Sequence, residues 1–123
     1  MKEVNVIVVP QSDEYTFDVS HNGTVWINGN LGTPRLDERN VKYLAPYWLN
    51  PDNRGVYRIY HILEHYKLNN ENNTYEIILG NSFVLDNKWD NVGNSRRFEY
   101  HKLKDFGFVE IKDGLLLDVN KQI

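Results

Sequence analysis

The sequence predicts an α+β, β-rich fold, namely a small closed or half-closed β-barrel of about six strands with two short helices at its rim. Short runs of β-branched and aromatic residues recur along the chain, and turn signals separate them every eight to twelve residues or so. Only two short segments suit a helix. The 123 residues contain no linker, repeat or low-complexity tract, which predicts a single domain over residues 1–123.

The first third of the chain predicts a strand, a helix and a loop. Residues 4–9 are rich in β-branched side chains, and the strand ends at Pro10, which cannot donate a ladder hydrogen bond. Ser12 is a suitable N-cap for a short helix over residues 13–21. Glycine, asparagine and proline in residues 28–34 then indicate an exposed loop.

The middle of the chain predicts three strands. Residues 41–49 form one, which ends at the strong turn cluster in residues 50–55. Residues 55–67 have apolar positions at helical spacing, but their β-branched and tyrosine-rich content favours a strand. After a polar turn at residues 69–73, residues 74–79 are expected to return antiparallel.

A bend at Gly80 is expected to separate the preceding strand from another at residues 82–85. The polar residues of 86–95 predict a loop that contains Trp89. Residues 96–100 predict a further strand.

The C-terminal part predicts a helical turn and a hairpin. Residues 101–106 form the turn, which ends at Gly107. Residues 108–111 and 115–117 flank Asp113-Gly114, a sequence typical of a type I′ turn.

Composition limits the classes of site. The chain has no cysteine, which excludes disulfides, thiolate-bound zinc and iron–sulfur clusters. The N-terminal apolar stretch is too short for a signal sequence or a membrane span, so we expect a cytoplasmic protein without a membrane partner. The net charge of −3 gives no general attraction to phosphate, so nucleic-acid binding would require a local patch.

One motif favours a zinc hydrolase. His61-Ile62-Leu63-Glu64-His65 matches H-x-x-E-H, in which two imidazoles one helical turn apart hold zinc beside a glutamate base. That chemistry requires a helix, whereas this segment is predicted to be a strand. Two polar residues on one face of a strand are the favoured interpretation.

A second motif favours a magnesium nuclease. Glu110-Ile111-Lys112 is a strand-borne E-x-K, in which a carboxylate holds magnesium and a lysine supports the attacking water. A nuclease also needs an upstream acid, for which Asp86, Asp90 and Asp105 are candidates. A solvated hairpin is the favoured interpretation of this motif, and no cofactor is predicted.

Aromatic side chains are concentrated in the middle of the chain. Flat rings can sandwich a planar base, and each stacking contact contributes roughly 1 to 3 kcal/mol. Strand alternation places Tyr43 and Tyr47 on one face and Trp48 on the other, so some of these rings must belong to the core. The aromatic set comprises Trp26, Tyr43, Tyr47, Trp48, Tyr57, Tyr60 and Trp89.

The order of these segments resembles the PUA-like superfamily, and within it the EVE domains, which are related to the YTH and ASCH domains. The resemblance rests on a first strand ending in proline, a tryptophan after the first helix and an arginine–aromatic stretch near the end. In this sequence they are Pro10, Trp26, Lys42-Tyr43-Leu44-Ala45-Pro46-Tyr47 and Arg96-Arg97-Phe98-Glu99-Tyr100. The resemblance implies a PUA-like β-barrel whose cleft holds a modified or flipped base.

By this resemblance, Trp26 would line the pocket and the strand from Tyr43 to Trp48 would form its wall. Pro46 interrupts that strand and predicts an edge, a bulge or an opening beside the pocket.

We therefore expect a module that recognises DNA or RNA, flipped or single-stranded, rather than an enzyme. The two enzymes above are alternatives, as is an acidic accessory protein that binds a nucleic-acid-binding protein partner. The predicted base-binding residues are Trp26, Asn28, Tyr43, Tyr47, Trp48 and Trp89. The predicted phosphate contacts, from two locally basic segments, are Arg35, Arg39, Arg96, Arg97 and Lys102.

Overall fold

A computed structural model describes residues 4–11, 24–28, 36, 39–49, 51–52, 54–67, 74–93 and 98–118. For residues 11 and 24–28 it describes only the backbone. The strands are β1 (Asn5–Gln11), β2 (Thr24–Asn28), β3 (Val41–Trp48), β4 (Val56–Lys67), β5 (Thr74–Trp89), β6 (Glu99–Lys102), β7 (Phe108–Lys112) and β8 (Leu115–Asp118). A 3₁₀ helix, Leu103–Phe106, follows β6 and is the only helix among the described residues. None of the described residues form a helix that is long and apolar enough to cross a membrane.

Six strands form one mixed sheet in the order β2-β5-β4-β3-β1-β6, and β7 pairs with β8 in a separate hairpin. β1 is parallel to β3, and every other pairing is antiparallel. The β-rich prediction is confirmed. Within the described segments, however, the edge strands β2 and β6 are not paired with each other, so the predicted closed barrel is not confirmed.

Strand alternation gives the six-stranded sheet two different faces. One, the hairpin face, carries Tyr43 and Tyr47 and is covered by the 3₁₀ helix and the β7–β8 hairpin through Phe106 and Phe108. The other, the aromatic face, has a fully buried centre at Ile7, Leu44 and Val9. Partly buried rings surround that centre, namely Trp48, Tyr60, Phe98 and Tyr100.

Pro46 marks an interruption in the sheet, in part as predicted. Its pairing with β1 is continuous, since Pro46 is in register with Val9. Towards β4, the ladder covers Tyr43 and Leu44 and resumes only at the bridge between Trp48 and Gly55. Because proline has no N–H group, the gap lies where the ladder would need one.

The strand prediction for residues 55–67 is confirmed by β4, but the prediction of two strands after it is wrong. β5 continues through Gly80 to Trp89, and register shifts in its pairing with β4 absorb the irregularity. A Cβ atom at Gly80 would lie 3.0 Å from Leu63 Cδ2, so this glycine permits close packing instead of a bend. The predicted loop therefore begins after Trp89, not at residue 86.

At the C-terminus, the predicted helical turn is confirmed over Leu103–Phe106 as a 3₁₀ helix, which ends at Gly107 with φ of 89°. Residues 101 and 102, predicted in the same turn, belong to β6. The hairpin is confirmed, but its turn is not type I′. That turn requires positive φ at both central residues, and Asn40 is the only non-glycine residue with positive φ among those described. The predicted helix at 13–21, loop at 28–34 and turn at 69–73 lie largely or wholly outside the described residues.

Candidate functional site

On the hairpin face, the Tyr43 hydroxyl joins the sheet to the β7–β8 hairpin. It donates a hydrogen bond to Glu110 Oε2 at 2.6 Å, and it accepts one from the Gly114 backbone N–H at 3.3 Å. Tyr43 itself is fully buried. The tyrosine is therefore held at both ends, by packing of its ring and by polar contacts of its hydroxyl.

His61 holds the hairpin turn beside Tyr43. Its Nε2 atom lies 3.2 Å from Asp113 Oδ1, and its ring centroid lies 5.3 Å from that of Tyr43. Lys42 Nζ approaches the same Asp113 oxygen at 3.6 Å. The H-x-x-E-H segment is a strand, and the described residues contain no group of three side chains able to hold a metal ion. These contacts give His61 a structural role.

A second polar group lies at the Trp89 end of the same face. The Tyr47 hydroxyl donates to Asp90 Oδ1, and His101 Nε2 lies 2.8 Å from Glu99 Oε1. The Trp89 ring packs against His101 and Phe106, with ring centroids 4.7 Å apart in both pairs.

Both buried tyrosines are held in their neutral form. Burial, followed by the hydrogen bond and negative charge of Glu110, raises the pKa of Tyr43 above its ordinary value. Burial and the neighbouring Asp90 raise the pKa of Tyr47 to about 12. Each phenol therefore remains a hydrogen-bond donor at neutral pH and is not a phenolate nucleophile.

The predicted aromatic pocket is not assembled as expected. Tyr43, Tyr47 and Trp89 are 0%, 1% and 7% exposed, so their rings belong to the core and present no open face to a base. Trp48 lies on the opposite sheet face, as alternation predicted, and is partly buried. Trp26 and Asn28 belong to edge strand β2, where the backbone of Trp26 pairs with Glu76, and their side chains lie outside the described set. Loop signals placed Trp89 wrongly because β5 extends further than its polar residues suggest.

The two basic segments meet at one end of β1. Asn5 pairs with Lys102 across β1 and β6, and its side-chain amide donates to the backbone carbonyl of Arg39. The Arg39 guanidinium lies over the Tyr100 ring, 5.4 Å from its centroid. Arg39, Lys102 and Lys104 are all exposed. We call Arg39, Tyr100, Lys102 and Lys104 the basic edge.

The remaining predicted phosphate contacts, Arg35, Arg96 and Arg97, lie outside the described residues. Tyr100 was not among the predicted site residues. The sequence feature that could have indicated Tyr100 is the arginine–aromatic stretch near residue 100. Alternation along a strand places Phe98 and Tyr100 on the same face.

A groove of about 190 Å³ adjoins the basic edge on the hairpin side. Its apolar floor consists of Leu103 and Phe108, both 5% exposed, and Val109 at its rim is 36% exposed. Its other lining residues are Val4, Lys102, Lys104 and Glu110.

The E-x-K motif is likewise separated from its predicted acids. Glu110 binds Tyr43, whereas Asp90 binds Tyr47 at the other end of the sheet. Asp105 accepts a hydrogen bond from the Lys102 backbone N–H at 3.2 Å, at the start of the 3₁₀ helix. Asp86 lines a separate cleft of about 230 Å³ with Asp105. These placements do not gather a magnesium site around Glu110.

We expect Tyr43→Phe to lower the free energy of unfolding by about 1 to 3 kcal/mol, because the Glu110 carboxylate and the buried Gly114 N–H both lose a partner. Urea unfolding followed by tryptophan fluorescence measures the change. Tyr57→Phe is the control, since that hydroxyl has only a long 3.5 Å contact with a backbone carbonyl. Equal losses in the two variants would contradict the role assigned to Tyr43.

The comparisons with known proteins add no family to this geometry. No protein-family model matches the chain, and no curated protein or solved structure shows significant similarity. The PUA-like resemblance therefore stays a prediction, and the function must be argued from the arrangement of the side chains.

Proposed function

We propose that this protein is a non-catalytic module that binds single-stranded or locally unpaired nucleic acid at the basic edge. The observation that carries the proposal is the convergence of Arg39 and Lys102, which are 63 positions apart, on the two sides of Asn5. Both belong to segments whose composition predicted phosphate contacts. The fold thus joins two weak basic segments into one local patch on an acidic chain.

The pairing of Arg39 with Tyr100 supports recognition of unpaired bases. A guanidinium over an aromatic ring forms a flat, cationic surface, on which a base can stack while a neighbouring phosphate meets the positive charge. Tyr100 is partly buried, so packing holds its ring in place before a ligand arrives. Trp48 and Phe98, on the same sheet face, are further candidates for stacking.

The distribution of charge favours this end of the molecule over the hairpin face. The carboxylates of Asp90 and Asp113 make their contacts on the hairpin face. Phosphate groups would be repelled by these carboxylates and attracted by Arg39 and the two lysines. A protein with net charge −3 can thus bind nucleic acid through a local cationic patch.

The proposal retains two predictions from the sequence. A PUA-like or EVE-like barrel would hold a base in a cleft, and a modified base is among the ligands such a cleft takes. Action on cellular DNA or RNA also agrees with the expected cytoplasmic location. Closure of the sheet and the location both stay predictions.

Fluorescence anisotropy with labelled single-stranded RNA, single-stranded DNA and duplex DNA tests the proposal. We expect single strands to bind, and we expect Arg39→Glu combined with Lys102→Glu to weaken binding at least tenfold at low salt, because charge reversal replaces attraction with repulsion. Each lost phosphate contact should also reduce the slope of log K against log salt by about 0.7 for a single strand.

The control is Arg58→Glu combined with Lys88→Glu, which reverses two exposed cations outside the basic edge. It makes the same change in net charge but should leave most of the affinity intact. A similar loss in both double variants would show a general charge effect and contradict the assigned site. Failure of every nucleic acid to bind the unmodified protein would reject the proposal and favour the acidic accessory protein.

A further inference from the structure

The groove beside the basic edge combines an apolar floor, cationic rims and one acceptor. Leu103 and Phe108 form the floor, and Lys102 and Lys104 lie at the rim nearest β6. Glu110 reaches the groove from β7. These features suit a planar apolar group with a phosphate at one side and hydrogen-bond donors at its edge.

Glu110 is oriented by the core. Its Oε2 atom accepts the 2.6 Å hydrogen bond from Tyr43, whose ring is fully buried. A carboxylate has a second oxygen, Oε1, which can accept hydrogen bonds from a ligand. The Tyr43 contact therefore fixes an acceptor at the groove without using all of its capacity.

Resting on the proposed function, we infer that this groove is a pocket for one base of the bound single strand, and that it selects bases with an exocyclic amino group. Leu103, Phe108 and Val109 contact the base, while Lys102 and Lys104 neutralise its phosphate. Glu110 accepts from the amino group of cytosine, adenine or guanine. Uracil and thymine have no exocyclic amino group and present the carbonyl oxygen O4 where cytosine carries its amino group, so a carboxylate placed to accept from that group repels them.

Competition between labelled oligo(C), oligo(A) and oligo(U) RNA tests the selection. We expect the unmodified protein to bind oligo(C) and oligo(A) about tenfold more tightly than oligo(U), which is the effect of one hydrogen bond to a charged group. In Glu110→Gln, the amide oxygen can still accept the hydrogen bond from Tyr43. The amide NH₂ group, a donor, then faces the groove in place of the carboxylate oxygen Oε1. This variant should lose the preference for oligo(C) over oligo(U).

A second pair of variants tests the groove itself. Val109→Trp should fill the groove and weaken oligo(C) binding about tenfold, because the indole competes with the base for the same space. Ile111→Trp is the matched control, since Ile111 lies on the same strand, is 59% exposed and does not line the groove. We expect it to bind oligo(C) like the unmodified protein, and circular dichroism checks that both variants are folded.

The outcomes separate this inference from the proposed function. One outcome rejects the groove assignment and leaves the basic edge in place. In that outcome, the charge reversals at Arg39 and Lys102 weaken oligonucleotide binding, but Val109→Trp and Glu110→Gln change neither the affinity nor the base preference. If equal affinity for oligo(C) and oligo(U) is found in the unmodified protein, amino-group selection is rejected. If no oligonucleotide binds, both proposals fail together.

Discussion

Gly114→Ala is expected to lower the free energy of unfolding by about 3 kcal/mol or more, the largest effect of a Gly→Ala change among the described glycines. Gly114 has φ of 81°, a conformation that costs a residue with a Cβ atom roughly 1 to 2 kcal/mol. A Cβ atom there would also lie 2.8 Å from both Cε1 and Nδ1 of His61. Because His61 is nearly buried, its ring cannot move away without disturbing its contact with Asp113.

Gly107→Ala provides the matched control. Gly107 has a similar φ of 89°, but a Cβ atom there would meet nothing within 4 Å. It should therefore cost only the backbone strain, about 1 to 2 kcal/mol. The difference between the two variants in urea unfolding isolates the clash with His61. Equal losses would show that the hairpin turn is not seated on His61 as described.

A steep loss of stability between about pH 10 and pH 12 is the second large effect we expect. In the unfolded chain, tyrosine loses its proton near its ordinary pKa of about 10. In the folded protein, the pKa of Tyr47 is raised to about 12 by burial and Asp90, and that of Tyr43 is also raised, by burial and Glu110. The unfolded state therefore releases protons first as the pH rises, and unfolding is increasingly favoured. Below pH 10 both phenols are neutral in both states, so their contribution is fully present.

Urea unfolding at pH 8, 10 and 11, together with tyrosinate absorbance, measures this loss. Tyr43→Phe combined with Tyr47→Phe should be less stable at pH 8 yet lose less stability as the pH rises, because neither group can ionise. If the double variant showed the same dependence on pH as the unmodified protein, the two buried phenols would not be its source.

Tyr43 connects the stability predictions to the proposed function. Tyr43 places Glu110 at the groove, and the hairpin that carries Glu110 is held by His61 and Gly114. A change at any of these positions that spares folding should alter base preference before it alters general affinity for nucleic acid. The phosphate contacts of the basic edge depend on Arg39 and Lys102, which lie on the two sides of Asn5.

The elements of the described fold were largely readable from the sequence, because local rules determine them. β-branched runs, the turn at residues 50–55 and Asp113-Gly114 lie within single segments of a few residues. Two exceptions have tertiary causes. β5 continues through Gly80 because that glycine packs against Leu63. It extends to Trp89 because Trp89 pairs with Val56 of β4, across a register shift that includes the polar residues 86–88. The first predicted helix lies outside the described residues.

Which aromatic rings reach the surface was decided only by the tertiary structure. Alternation separated Trp48 from Tyr43 and Tyr47, but it could not show that the 3₁₀ helix and the hairpin cover the tyrosine side. Burial of an aromatic ring depends on segments distant in sequence, as does the meeting of Arg39 with Lys102 beside Asn5. The amino-acid order thus determined the strands and the basic composition of two segments. Long-range packing placed Tyr43, Tyr47 and Trp89 of the predicted aromatic pocket in the core and brought the basic segments together. A contact across the sheet leaves no local pattern in the chain.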